Sequence, residues 1–233
     1  MCNHANFIFR KVVTIQIRAH RQVMSRLYST NTFVYLALAT GLHVFCLYGL
    51  LNWTPSFLSR LHGMKNSEIG SLLGPIFGIS GAIGSFAGGF LTDHFGKKDK
   101  RRYMIIPAYA VILSIFFAAG VLFIQNTTLS LICLGCCASL QSVYLGPSIA
   151  VAHSLVPASM RSLTSAILFF VLNLIGLGLG PLVVGIISDQ LAPALGNESL
   201  RWAMSIIIVI GAVSTIFFFI AAKKLAVDLK LTR

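Results

Sequence analysis

At 233 residues, 56% of them hydrophobic and only 10% charged, the chain has too few polar side chains to cover a soluble globule and reads as an integral membrane protein. Its formal net charge of +12 does not point to nucleic acid, because the basic residues sit in short blocks between apolar segments, where anionic lipid head groups are the natural partners. A disulfide framework is not implied: Cys46, Cys133, Cys136 and Cys137 lie inside apolar segments, and only Cys2 is in a tail.

Residues 1–31 mix Arg10, Lys11, Arg18, Arg21 and Arg26 with Phe7, Ile8, Phe9, Val12, Val13, Ile15 and Ile17. Charge spread in this way, with no uninterrupted apolar stretch ahead of a small-residue cleavage site, argues against a cleavable signal and for a basic cytoplasmic lead-in. A first span covers 32–58, longer than the ~20 residues a bilayer core requires, and carries His43, Tyr48, Asn52, Trp53 and Pro55. The second, 68–92, places glycines at 70, 74, 78, 81, 84 and 88, so one face is nearly bare backbone against which another helix must pack.

The third span, 103–124, has Pro107 near its start, and Asn126 and Thr127 form the turn after it. A fourth, 129–155, carries Gln141, Ser142, Tyr144, Pro147 and His153. Its C-x-x-C-C string at Cys133, Cys136 and Cys137 lacks the polar partners and solvent access of a metal or redox site, and small-residue packing accounts for it. Pro157 marks the break into the fifth span, 162–187, where Asn173 precedes Gly176, Gly178, Gly180, Pro181 and Gly185; a kinked, tightly packed second half is expected. The sixth span, 200–222, ends in Lys223 and Lys224. Residues 32–224 thus make one six-helix transmembrane domain, and 225–233 a cytoplasmic tail.

The stretch 84–102 orients the chain. Its basic block, Lys97, Lys98, Lys100, Arg101 and Arg102, separates two long spans and belongs on the cytoplasmic side. Six spans then put 15 of the 18 Lys and Arg residues on that side, with Arg60, Lys65 and Arg201 on the other. Both termini are cytoplasmic, and the expected location is the plasma (bacterial inner) membrane.

The run Gly89-Phe-Leu-Thr-Asp93-His-Phe-Gly96-Lys97-Lys98 matches G-x-x-x-D-x-x-G-[RK]-[RK], the loop signature that follows the second helix of a half in the major facilitator superfamily. Wider wording, YGLLNWTPSFLSRLHGM from Tyr48, LTDHFGKKDKRRYMIIPAYA from Leu91 and VPASMRSLTSAILFFVLNLIGLGLGPLVVGIISD from Val156, resembles the C-terminal half of a Spinster-like transporter. First halves carry the loop signature too, and Gly176-x-x-x-Gly180-Pro181 is similar to a fifth-helix motif of family antiporters; the absence of arginine between 129 and 155 favours the second half.

The resemblance implies an all-α fold of two pseudo-symmetric halves around a central cavity, each half built from two inverted three-helix repeats. This chain would supply one half, with 1–31 as the linker and a second six-helix half lying upstream in the same chain or on another chain. It further implies a gating loop in which Gly89 and Gly96 permit close approach and a tight turn, while Asp93 faces Lys97 and Arg101 as charge partners. A solvated loop whose charges only set topology is the plainer reading. Helices that face such a cavity offer Tyr48, Asn52, Gln141, Tyr144 and Asn173 to a substrate, although interhelical hydrogen bonds satisfy such groups equally well.

His43 and His153 are the candidate proton carriers, each readable also as a packed neutral histidine. No catalytic constellation emerges, since Asp93 and Asp189 are expected on opposite sides of the membrane, and the glycines at 176, 178 and 180 do not make a nucleotide-binding pattern. No cofactor or metal is expected. The expected function is secondary, ion-coupled transport of a small organic or amphipathic, lipid-like solute by alternating access; the alternative is a half-size membrane protein that packs with or regulates a partner.

Overall fold

The computed structural model describes Leu27 and residues 30–231, so most of the expected lead-in over 1–31 lies outside the described residues. Every regular element among these residues is helical. The first helix, α1 (Asn31–His62), is 32 residues long and ends at Gly63, whose φ of 64° is open to glycine but strained for other residues. The N–H groups of Gly63 and Met64 both turn back to the carbonyl of Leu58, which closes the helix end. Three residues later α2 (Asn66–Gly96) begins, its start fixed by Glu68, which accepts from the Lys65 N–H at 3.2 Å.

Next comes α3 (Arg102–Phe123), then α4 (Thr127–Ser142), capped by Asn126, whose side chain accepts from the Leu129 N–H at 3.0 Å. The span expected over 129–155 is present as Thr127–Ser154, with an interruption inside it. The helix breaks at Val143 and Tyr144 and restarts as α5 (Leu145–Ser154). Pro147 is the cause: it has no N–H for the Val143 carbonyl, and its ring crowds that carbonyl. The fifth expected span is likewise irregular. Between α6 (Arg161–Leu172) and α7 (Gly180–Leu195) the seven residues Asn173–Leu179 are wound as a π-helix just ahead of Pro181. Gly196, at φ 54°, opens the short turn into α8 (Ser199–Leu231), which carries the helix past Lys224 into the expected tail.

Five helical stretches are long and apolar enough to cross a bilayer: Asn31–His62, Asn66–Gly96, Arg102–Phe123, Thr127–Ser154 and Ala158–Leu229. The last, 72 residues, folds back on itself at Gly196–Glu198, bringing Ser188 of α7 to within 3.3 Å of Ser199 at the start of α8. The protein is an integral membrane protein in contact with the lipid bilayer.

Helix α1 is the axis of the bundle. Its glycines and those opposite it let backbones meet: a Cβ on Gly180 would lie 2.5 Å from the Phe45 carbonyl, and one on Gly211 would lie 2.7 Å from the Cys46 side chain. The Asp228 carboxylate of α8 accepts from the Thr32 N–H at 3.0 Å, supplying an acidic cap to the start of α1. Side chains pack in two apolar clusters stacked along the helices. One gathers Phe33, Leu36, Met104, Leu155, Leu168 and Phe218, the other Phe57, Leu58, Leu122, Leu200, Met204 and Ile207.

Helix α2 sits at the edge. Gly84 and Gly88 lie against the Ser139 and Val143 backbone of α4 and α4's end, where a Cβ on Gly88 would come within 2.5 Å of the Val143 carbonyl. Cα–H groups there can face the carbonyls that the helix break leaves free. Gly70, Gly74, Gly78 and Gly89, in contrast, face open space.

These neighbouring glycines make a paired test. Gly88→Ala should destabilise by about 1–3 kcal/mol through overpacking, whereas Gly89→Ala, gaining helix propensity of about 1 kcal/mol, should hold or raise stability. Thermal unfolding midpoints of the purified chain in detergent read both; the reverse order would remove the α2–α4 contact from this account.

Candidate functional site

Two places gather the residues with chemistry to offer. At the end of α2, Gly96 is buried and in ordinary helical conformation, so it makes no glycine-dependent tight turn, contrary to the expectation; positive φ among the described residues occurs only at Gly63 and Gly196. Its missing side chain instead makes room for the Tyr103 ring, which a Cβ would overlap. Seated there, Tyr103 donates its hydroxyl to Asp93 Oδ1 at 2.8 Å.

The expected charge pairs are absent: Lys97 and Arg101 are exposed, and the ion pair found among the described residues is Arg201–Glu198. The Arg101 N–H donates to Asp99 Oδ1 at 3.0 Å, and Lys100 Nζ lies 5.2 Å from the Tyr103 ring centre. Within this chain Gly89 likewise receives no close neighbour, the tight contacts falling at Gly84 and Gly88. Tyr103 was missed by the sequence reading, since only the fold shows that it crosses back over Gly96.

The second place is a polar layer at mid-depth, between the two apolar clusters. His43 of α1 is buried, packs on Tyr144 with ring centres 4.5 Å apart, and donates from Nε2 to the Gln141 carbonyl at 2.9 Å. That carbonyl is free because the helix breaks two residues later. The Gln141 side chain donates from Nε2 to Cys137 Sγ at 3.3 Å, and the Cys137 thiol points to the Ser114 carbonyl at 3.6 Å. His43, Ser114, Cys137 and Gln141 therefore join α1, α3 and α4 through a hydrogen-bonded chain. His153 stands apart, with Nε2 2.6 Å from Ser165 Oγ, tying α5 to α6.

The five expected cavity residues are not brought together as one lining. Gln141 and Tyr144 are buried inside the bundle and Tyr48 is half-buried, while Asn52 and Asn173 are exposed and donate back to the carbonyls of Tyr48 and Phe169 on their own turns, at 2.9 and 2.8 Å. A half-enclosed cavity of about 140 Å³ does lie beside Gln141. Leu47, Leu50 and Thr54 of α1, Phe77 of α2, Leu122 of α3 and Met204 of α8 contribute to its walls. Its lining holds no charged side chain. Among the described residues no group of three or more His, Cys, Asp or Glu side chains is placed to hold a metal ion.

Long apolar helices, two of them broken, closing around a buried polar layer define a polytopic helical membrane protein. More particularly, the chain belongs to the Major Facilitator Superfamily, whose sequence profile matches residues 36–231. It is 31% identical over 163 residues to an MFS-type efflux pump of Mycolicibacterium smegmatis, covering 69% of this chain and 37% of the pump. It is 28% identical to a hexuronate transporter of Bacillus subtilis, over 69% of this chain and 39% of that protein.

The chain thus spans less than half the length of these relatives. In structure it is similar to a bacterial homologue of the human lysosomal transporter Spinster in its inward-facing, unoccupied conformation, with a TM-score of 0.79, 23% identity, and coverage of 89% of this chain and 50% of that one. The occupied inward-facing conformation of such a homologue gives a TM-score of 0.74 at 24% identity, covering 85% of this chain and 50% of the other. At these identities the likeness establishes the shared fold.

The Gly96–Tyr103 fit is open to a double-mutant cycle. Gly96→Ala should destabilise the wild-type chain but do less harm in a Tyr103→Ala background, with a coupling energy of about 0.5–3 kcal/mol. Additive losses in detergent unfolding would show that the ring does not occupy the glycine site.

Proposed function

We propose that the chain forms one six-crossing half of a Spinster-like secondary transporter, moving a small organic or amphipathic solute by alternating access and driven by an ion gradient. Six crossings follow if the 72-residue run Ala158–Leu229, about 108 Å of helix at ~1.5 Å per residue, is counted as two passes through a hydrocarbon layer of ~30 Å. Two inverted three-helix repeats would then make the half, with both termini cytoplasmic in a bacterial inner membrane. Names of the similar proteins support a transported solute of small organic type: an efflux pump, a hexuronate transporter and, over 38% of this chain, a cis,cis-muconate transport protein of Acinetobacter baylyi.

The observation that carries the reading is that α2's glycines are only partly covered. Gly84 and Gly88 are filled by α4, whereas Gly70, Gly74 and Gly78 nearer the start of the helix, together with Gly89, meet nothing and leave a bare, open face. A second six-helix half, upstream in the same chain or on another chain, is the occupant proposed for that open face. Asp93 and Tyr103, at its cytoplasmic end, are the proposed gate contact, made and broken as the halves rock, with Lys97 and Arg101 holding the loop at the membrane surface. Tyr48, Asn52, Gln141, Tyr144 and Asn173 are the proposed solute contacts, and His43 and His153 the proposed proton carriers.

The reading is tested with the chain assembled with a second half in proteoliposomes under an imposed pH difference, using glucuronate, cis,cis-muconate and ethidium as probes. At least one probe should move, and Asp93→Ala should slow it about tenfold or more without lowering the amount of inserted protein. Flux of none of the three would overturn the assignment, and a wild-type rate in Asp93→Ala would remove the gate. A cysteine at Lys97 should react with an impermeant maleimide only from the cytoplasmic side.

A further inference from the structure

The half-enclosed cavity of about 140 Å³ has a floor and a mouth. Leu122 of α3, Leu134 of α4 and Met204 of α8 are buried in its floor. Leu50 and Leu51 of α1, Phe77 of α2 and Ala138 of α4 are only half-buried and mark its open side. An apolar molecule dissolved in the bilayer therefore has a way in between α1, α2 and α4.

The polar side chains in the wall are already engaged within the protein. Thr54 donates to the Leu50 carbonyl at 2.8 Å, Ser142 to the Ala138 carbonyl at 2.9 Å and Cys137 to the Ser114 carbonyl at 3.6 Å, while Gln141 donates to Cys137 Sγ at 3.3 Å. The other end of the Gln141 amide, Oε1, has essentially no accessible surface and so does not face the cavity. With no charged side chain in the lining either, a polar or ionic occupant would lose its hydration and gain little in return.

Size and stiffness restrict the choice among apolar occupants. An apolar cavity of about 150 Å³ stays dry and takes up benzene. A flexible alkyl chain gives up rotamer freedom when it is confined, whereas a rigid ring of the same volume has none to lose. Phe77 and Met204 in the wall are also side chains of the types that gain from an aromatic neighbour. We propose that this cavity binds a compact, uncharged aromatic ring of about the size of benzene, seated over Leu122, Leu134 and Met204. The site is contained within this chain and does not depend on the chain's being half of a transporter.

The test uses fluorobenzene and 1-fluoropentane, a ring and a chain of similar size. Each is titrated into the full chain in detergent micelles and followed by fluorine NMR, with empty micelles as the reference and unlabelled benzene as the competitor. Fluorobenzene should bind saturably, be displaced by benzene, and bind about tenfold tighter than 1-fluoropentane. Ala138→Leu, which fills the cavity from α4, and Leu50→Phe, which narrows its mouth from α1, should each weaken fluorobenzene binding about tenfold or more.

No saturable, benzene-sensitive binding to the wild-type chain would overturn the proposal. Binding of 1-fluoropentane as tight as that of fluorobenzene would overturn it too, and would assign the cavity to the ends of lipid chains. Fluorobenzene binding unchanged in either folded variant would place the ring elsewhere. If neither variant folds, the wild-type preference for ring over chain and the displacement by benzene still decide.

Discussion

Hydrocarbon gives a helix no reason to hide its leucines, so what holds this bundle together is the approach of one backbone to another where a side chain is missing. Gly180 brings α7 onto the Phe45 carbonyl of α1, Gly211 brings α8 onto Cys46, and Gly88 brings α2 onto Val143. Each removes only a methyl group from the path, yet together they set the distances at which the apolar clusters can interlock. The ordinary hydrophobic core is thus a consequence of these contacts: Phe57, Leu122 and Ile207 meet because the backbones beside them already do.

Close packing of this kind tolerates broken helices only where the freed polar groups are met, since no water is at hand to meet them. Both breaks precede a proline, Pro147 in one case and Pro181 in the other; α1 meets a freed carbonyl at the first and bonds to the opening turn of α7 just past the second. His43 donates to the Gln141 carbonyl, and Trp53 Nε1 donates to the Pro181 carbonyl at 2.8 Å. The polar side chains of α1 therefore supply donors to carbonyls beside its neighbours' irregular segments. That role accounts for His43, which the sequence offered as a proton carrier or a packed residue, without excluding either.

Hydropathy located the first four spans to within four residues, because twenty apolar residues in a row have few other fates, while α7 and α8 run eight and nine residues past the ends expected for the fifth and sixth. The glycine-rich second span and the kinked fifth were readable for the same reason, since Gly and Pro act through local backbone geometry. What escaped was everything decided across the fold. The break at Val143 is followed by a legible proline, but whether Pro147 bends a helix or interrupts it depends on partners for the freed carbonyls, here His43 and the backbone beside Gly88. Tyr103 reaching back to Asp93, and Asp228 capping α1, join residues 10 and 196 positions apart, and no local pattern encodes them.

The Asp228 cap also has a bearing on time. Among the described helices α1 leaves the ribosome ahead of the others, yet its cap and two of its close partners, α7 and α8, are made after the rest of the bundle. At ~5–20 residues per second, the 196 residues between Thr32 and Asp228 take roughly 10–40 s to appear. Through that interval the bundle's central helix waits in the bilayer with Gly41 and Gly49 uncovered. The bundle is therefore a late-closing structure, in which the final turns of α8 complete α1.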